Sequence, residues 1–169
     1  MQDSNDIPTQ FHIICFEGPD GYARAGGIAS RITGLSEALA EAGFETHLWF
    51  VGDPHLPGHE TRGQLRLHRW CQWISQYHPA SVYDGEEGKR ADYAASLPPF
   101  LFHEVLLPHL QRGGRAVVLA EEWQPLMRCC TWTGCYAALR SGTRSPCFGM
   151  PITRSPSSAS PGTGWPQQL

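Results

Sequence analysis

Residues 11–52 have the pattern of a strand, a glycine-rich loop, a helix and a second strand, and this unit constrains the fold most strongly. The apolar run 11–16 is typical of a strand that is buried on both faces. Apolar residues then recur at helical spacing over 28–42, and Gly43 stands where a left-handed helix end is expected. Because one helix separates this strand from the next β-rich run, 46–51, the two strands are expected to pair in parallel.

Gly26 and Gly27 come directly before the predicted helix. Because glycine has no Cβ, a ligand can approach the backbone closely at this point. The first N–H groups of a helix carry partial positive charge, which suits a phosphate. A tight turn without a ligand explains the same two residues, and spacing alone leaves both interpretations open. The segment is neither a GxGxxG fingerprint nor a P-loop, so no standard nucleotide motif is present.

The apolar run 116–120 predicts a third buried strand, followed by a short polar segment. Open α/β sheets bind ligands at the carboxyl ends of their strands, so this segment is expected at the same edge as the glycine loop. Adjacent residues on an extended chain point to opposite sides, so at most one of its two glutamates is expected to face a ligand. The segment consists of Glu121, Glu122, Trp123 and Gln124.

The middle of the chain has weaker patterns. Residues 65–70 alternate between apolar and polar, which predicts an edge or half-buried strand. Residues 71–95 have little regular pattern and are expected to form a long, ligand-facing loop. Pro98 and Pro99 are expected to open an apolar helix, because a first helical turn tolerates proline.

The composition changes abruptly after Glu122. All sixteen acidic residues lie at or before this position, and the residues after it include four arginines but no acid. Residues 125–169 are rich in Ser, Pro, Gly, Arg and Cys without a sustained period, which predicts a disordered tail. A shifted reading frame near Gln124 is the hypothesis that explains the abrupt change best. The predicted organisation is a flexible lead-in at 1–10, a domain at 11–124 and this tail.

Several classes of protein are excluded by composition. The net charge of −3 gives no indication of a nucleic-acid partner. No apolar run approaches the roughly 20 residues of a transmembrane segment, and the polar, acidic start is not a secretory signal, so a cytoplasmic location is expected. Structural zinc sites usually contain CxxC pairs, which this chain lacks, so no metal is expected. His103 and Glu104 begin an HExxH pattern that Leu107 breaks, which excludes a zinc protease site.

Three stretches carry a resemblance to a known family: GGIASRITGLSEALAEAGFETHLW at 26–49, VVLAEEWQ at 117–124 and YHPASVYDGEEGK at 77–89. Together they resemble the N-terminal half of a GT-B glycosyltransferase, of the retaining group that includes glycogen and starch synthases and glycosyltransferase family 4. In VVLAEEWQ, Glu121 stands where the synthases have a histidine thought to assist catalysis. Any role for that position must therefore differ here or be absent.

The resemblance implies an α/β fold, a Rossmann-like parallel sheet with flanking helices, which is incomplete here. It also implies retaining hexosyl transfer from a nucleotide-sugar donor to a carbohydrate acceptor hydroxyl, without a cofactor or divalent metal. In the family a C-terminal domain binds most of the donor. This chain is expected to lack that domain and to be inactive alone. It would need a donor domain supplied in cis or in trans. The alternative is a stand-alone nucleotide- or glycan-binding module without catalysis.

The resemblance also sorts the candidate site residues. Gly26 and Gly27 are expected near the donor phosphates, and Glu121 and Glu122 are the weak catalytic candidates. For Glu17, at the end of the first strand, a solvated carboxylate is the alternative to a ligand contact. A charged loop around Asp84 that includes Lys89 either grips sugar hydroxyls or is simply solvated. Four aromatic rings either stack on sugars or pack in the core or at its rim: those of Trp70, Trp73, Tyr77 and Tyr83. The acceptor side is predicted to include Glu17, Tyr83, Asp84, Trp123 and Gln124.

Overall fold

The computed structural model of this chain describes residues 7–122. Predictions for the first six residues and for the tail at 125–169 therefore lie outside the described residues. The same applies to Trp123 and Gln124, the last two residues of the predicted acceptor side.

The fold is α/β, with a five-stranded mixed sheet. Four strands run parallel, and the edge strand β3 is antiparallel to β4. The expectation of a parallel sheet is wrong for this edge, because β3 is a four-residue polar segment without the apolar run that marks the other strands. The strands are β1 (Thr9–Ile14), β2 (Glu45–Val51), β3 (His59–Arg62), β4 (Leu65–Trp70) and β5 (Arg115–Ala120), in the spatial order β3-β4-β2-β1-β5.

Helices flank both faces of the sheet. Each face of the sheet has its own hydrophobic core. Helix α1 packs through Ile32 on the face that carries Leu48 and Phe50. Helix α3 packs through Tyr93 and Leu97 on the face that carries Trp49. Every helix among residues 7–122 is too short or too polar to span a lipid bilayer. The helices are α1 (Gly27–Glu41), α2 (Gln72–Ser75) and α3 (Glu86–Phe100), which continues through a π-helical turn (Leu101–Leu106) into α4 (Leu107–Gln111).

The prediction of a long loop at 71–95 is wrong, because α2 and most of α3 lie in this range. Four residues at spacings of four form the buried stripe of α3 and its continuation. Lysine at one of these positions hides the apolar period in the sequence. The prolines expected to open the helix, Pro98 and Pro99, lie inside it instead, directly before the π-helical turn. The stripe consists of Lys89, Tyr93, Leu97 and Leu101, each at most 2% exposed.

The sheet topology defines one crevice at the carboxyl ends of the strands. Strand β1 lies between β2, which follows it in the chain, and β5, which follows much later. In open α/β sheets, ligands bind at such a point, where connections leave to opposite sides. The register pairs Ile14 with Ala120, so the residues that follow β1 and β5 emerge side by side.

Candidate functional site

Three side chains meet at this crevice, and we call them the strand-end cluster: Glu17, Tyr83 and Glu122. Glu17 follows β1, Glu122 follows β5, and Tyr83 comes from the connection between α2 and α3. The Tyr83 hydroxyl lies 2.8 Å from Oε1 of Glu17 and 3.1 Å from Oε1 of Glu122. The sequence predicted all three as site candidates, and the structure brings them together.

The cluster has fewer donors than acceptors. A tyrosine hydroxyl carries one proton, so it donates to only one of the two carboxylates at a time. Burial raises the pKa of Tyr83 above its usual value, and hydrogen bonding to Glu17 and the charge of Glu122 act in the same direction. The phenol therefore stays protonated, and one carboxylate oxygen facing it has no proton from Tyr83.

Glu17 also caps helix α1. Its Oε2 accepts hydrogen bonds from the backbone N–H groups of Gly26 at 3.0 Å and Ala29 at 3.1 Å. Glu17 is only 4% exposed, so the solvated carboxylate considered for this position is wrong. A carboxylate is favoured at a helix N-terminus by the unpaired N–H groups and the helix dipole. The end of α1 that was expected to attract a phosphate therefore already holds a protein carboxylate.

Glu122 ties the end of β5 to the end of β1. Its Oε2 accepts hydrogen bonds from the backbone N–H groups of Phe16 at 2.7 Å and Glu17 at 3.1 Å. The Cys15 thiol also donates to it, at 3.1 Å. Glu122 has φ of 73°, a left-handed conformation that non-glycine residues rarely adopt. The hydrogen bonds hold Glu122 in that conformation and fix its carboxylate beside Tyr83.

Glu121 turns away from the cluster to Arg31. Its carboxylate forms an ion pair with this arginine, whose side chain is 61% exposed on α1. The two adjacent glutamates thus have different partners. Arg31 is not among the residues predicted from the sequence, although its position four residues after Gly27 places it one turn into helix α1.

Gly26 and Gly27 are both exposed at the start of α1. Gly26 has φ of −160°, an extended conformation that any residue adopts, so its backbone does not require glycine. A Cβ on Gly27 would meet nothing within 4 Å. Folding alone therefore does not explain this glycine pair, and contact with the donor phosphates stays a prediction.

A buried lysine positions the loop that carries Tyr83. Nζ of Lys89 donates to the backbone oxygens of Ser81 at 3.0 Å and Val82 at 3.1 Å, and also to the Tyr22 hydroxyl. Lys89 is fully buried, so the expectation that it belongs to a solvated or sugar-gripping loop is wrong. Asp84, from the same stretch, lies 3.5 Å from Nδ1 of His78 and has no hydrogen bond to the strand-end cluster among the described contacts.

A buried ion pair fixes the loop between β1 and α1. Arg69, at the end of β4, donates to both carboxylate oxygens of Asp20, at 2.8 and 2.9 Å. The two side chains are 1% and 4% exposed. Arg69 also donates to the Pro57 carbonyl and to Glu60. No local sequence pattern indicates this network, because the contact joins residues 49 positions apart.

The aromatic rings considered for sugar stacking divide into two groups. Trp73 and Tyr77 are exposed, at 60% and 75%. Trp70 instead packs against Phe100, with ring centroids 5.1 Å apart. Tyr83 belongs to the strand-end cluster. Of these four rings, those of Trp73 and Tyr77 are therefore the exposed ones.

The chain matches no family model, and no curated protein or solved structure matches it. Among residues 7–122, no group of three or more His, Cys, Asp or Glu side chains is arranged to hold a metal ion. A functional assignment for this chain therefore depends on the geometry of the strand-end cluster and on the resemblance of its sequence.

Proposed function

We propose that this domain is the acceptor-side half of a retaining GT-B glycosyltransferase and binds carbohydrate at the strand-end cluster. The observation that carries the proposal is the single Tyr83 proton between the carboxylates of Glu17 and Glu122. Sugars present many hydroxyl groups, and each of them both donates and accepts hydrogen bonds. A sugar hydroxyl can donate a hydrogen bond to the carboxylate that receives none from Tyr83.

The order of the strands supports this assignment. Counted along the chain, the four parallel strands lie in the spatial order third, second, first, fourth. Rossmann-like domains have this arrangement and bind their ligands next to the first strand, at the carboxyl ends. The strand-end cluster occupies that position.

The three side chains take different roles in the proposal. Glu17 is held by the start of α1 and keeps Tyr83 oriented through its second oxygen. Glu122 presents Oε1 to the acceptor hydroxyl and helps to orient it. Donor binding is assigned to a second domain, in cis or in trans, so this half binds acceptor but does not transfer sugar alone.

A glycan-binding module without catalysis is the second candidate, and one observation favours it. The N-terminus of α1 already holds the Glu17 carboxylate, which repels a donor phosphate at this position. A neutral oligosaccharide meets no such repulsion. The two candidates share the acceptor site and differ in whether a nucleotide sugar binds as well.

Calorimetric titration of the full chain with maltotriose and with UDP-glucose tests the proposal. We expect saturable binding of the oligosaccharide that weakens at least tenfold in Tyr83→Phe. Tyr77→Phe, which removes a hydroxyl from an exposed ring outside the cluster, is the matched control and should bind like the wild type. Absence of oligosaccharide binding by the folded protein, or equal binding by Tyr83→Phe, contradicts the proposal. UDP-glucose binding by this half alone favours the transferase, whereas its absence is expected of both candidates, because donor binding is assigned to the second domain.

A further inference from the structure

Four histidines form a continuous row across four strands on one face of the sheet. We call it the histidine row: His12 on β1, His47 on β2, His68 on β4 and His59 on β3. Nδ1 of His47 lies 3.0 Å from Nε2 of His68, and Nδ1 of His68 lies 2.9 Å from Nδ1 of His59. The His12 and His47 rings are 4.5 Å apart. Both ring nitrogens of His68 therefore face other histidines.

The row is largely buried beneath aromatic stacking. The His68 ring lies flat on Trp49, with centroids 3.8 Å apart and planes within 8°. His12 is fully buried and His47 is 6% exposed. His59, on the edge strand, is exposed. Protons therefore reach the row most directly from its outer end.

The hydrogen bonds allow two sets of neutral tautomers with opposite donor directions, and Glu45 favours one of them. Nε2 of His47 is buried without a hydrogen bond and lies 3.4 Å from a carboxylate oxygen of Glu45. A proton on that nitrogen faces the negative charge favourably, which leaves Nδ1 of His47 as an acceptor. His68 then donates to His47 through Nε2 and accepts from His59 through Nδ1.

The first extra proton is accommodated most directly at the exposed end of this arrangement. His59 can take a proton on its outer nitrogen and still donate to His68. Once His59 carries both protons, a proton added to His68 turns its acceptor nitrogen into a donor that faces the N–H of His59. The charged and titratable groups around the row also act on it: Glu45 favours charge on His47, whereas Arg66 and His109 oppose it.

We propose that the histidine row is an acid-sensitive latch that holds the hairpin of β3 and β4 against the parallel sheet. When its buried members are neutral, the row joins β4 to β2 and β3 to β4 by side-chain hydrogen bonds. When two neighbouring members of the row are both protonated, as His59 with His68 or His68 with His47, like charges and facing donors about 3 Å apart replace those bonds, and the hairpin detaches from β2.

The pH range follows from the direction of the shifts. Burial, followed by the neighbouring histidines, lowers the pKa of His68 to about 3, and burial lowers the pKa of His47 to about 4. The open state binds protons with the ordinary histidine pKa near 6.5. Opening of the hairpin is therefore rare above pH 6.5. Below that pH, the equilibrium constant for opening rises up to about tenfold per pH unit for each histidine that opening releases. This rise ends when the pH reaches the folded-state pKa values of His47 and His68.

Hydrogen exchange of the full chain between pH 7 and pH 4.5, corrected for the intrinsic pH dependence of exchange, tests the latch. We expect residues 59–70 to lose protection at least tenfold more than residues 9–14 and 115–120 as the pH falls. Protection in His59→Gln should persist to lower pH, because glutamine still bonds to His68 but places no positive charge beside a protonated His68. His55→Gln removes an exposed histidine outside the row and should behave like the wild type.

Three results overturn the proposal: uniform loss of protection over all strands, unchanged protection down to pH 4.5, or the same profile in His59→Gln as in the wild type. If His59→Gln does not fold, the Cε1–H chemical shifts of the wild-type histidines provide the second measurement. Titration of His47 and His68 near 6.5 in the folded protein also contradicts the latch. Their titration below pH 5, together with selective opening of 59–70, supports it.

Discussion

Glu17 and Glu122 lie 105 positions apart in the chain, yet both direct one carboxylate oxygen at the hydroxyl of Tyr83. Each uses its other oxygen to accept backbone N–H groups, Glu17 at the start of α1 and Glu122 at the end of β1. The two carboxylates are thus fixed by the main chain before any ligand arrives. Their free hydrogen-bonding capacity is concentrated at one point, beside Tyr83.

We expect Tyr83→Phe to lower the free energy of unfolding by about 1–2 kcal/mol, because it removes the only side-chain hydroxyl donor between two carboxylates. Adding Glu122→Gln to this variant should recover part of the loss. The glutamine oxygen can still accept from Phe16, while its NH₂ group replaces the missing donor to Glu17. Urea denaturation of both single variants and the double variant measures the coupling. Strictly additive effects contradict the shared-proton arrangement.

The sequence predicted those helices and strands whose structure is decided by local patterns. The strands around α1, the helix itself and β5 follow from apolar runs and spacing, and Gly43 has the expected left-handed conformation, with φ of 93°. Strand-end geometry also placed Glu17 and Glu122 at one edge. These features need only short-range sequence patterns, because the parallel sheet determines where the strand ends meet.

The remaining features depend on contacts that no local pattern encodes. Lys89 occupies a core position of α3, so the apolar period is interrupted where the helix begins. The contact between Tyr83 and Glu17 depends on the path of the preceding loop, which the Tyr22 hydroxyl and the Lys89 amine fix by binding backbone carbonyls. A sequence pattern identifies such residues as polar but does not identify their partners.

Alanine at Gly26 and Gly27 separates folding from ligand contact. A Cβ on Gly26 would approach Glu17 no closer than 3.7 Å, and one on Gly27 meets nothing within 4 Å. We therefore expect the free energy of unfolding of the double variant to lie within about 0.5 kcal/mol of the wild-type value. If donor phosphates approach this backbone, the same variant should lose UDP-glucose affinity at least tenfold. Gly34→Ala, at an exposed position in α1, is the control and should gain up to about 1 kcal/mol of stability without a change in binding.

Arg69→Met should be among the most destabilising single changes in the domain. It leaves the buried Asp20 carboxylate without its charged partner, and breaking a buried pair in this way typically costs about 3–5 kcal/mol. Arg62→Met removes an arginine from a surface pair with Glu60, where its side chain is 54% exposed, and should cost less than about 1 kcal/mol. Thermal and urea unfolding of the two variants gives the comparison. Equal losses contradict a structural role for the Asp20 pair.

Lys89→Met tests whether the strand-end cluster depends on a buried amine behind it. Methionine has a similar length and no donor, so the Ser81 and Val82 carbonyls lose the group that holds them together. We expect the Val82 amide, which donates to the Tyr22 carbonyl, to exchange at least tenfold faster, while amides of β1 keep their rates. Oligosaccharide affinity should fall with it, because Tyr83 is the next residue. Glu87→Gln, at an exposed position of the same helix, is the matched control. Unchanged exchange at Val82 in Lys89→Met shows that the loop is fixed by other contacts.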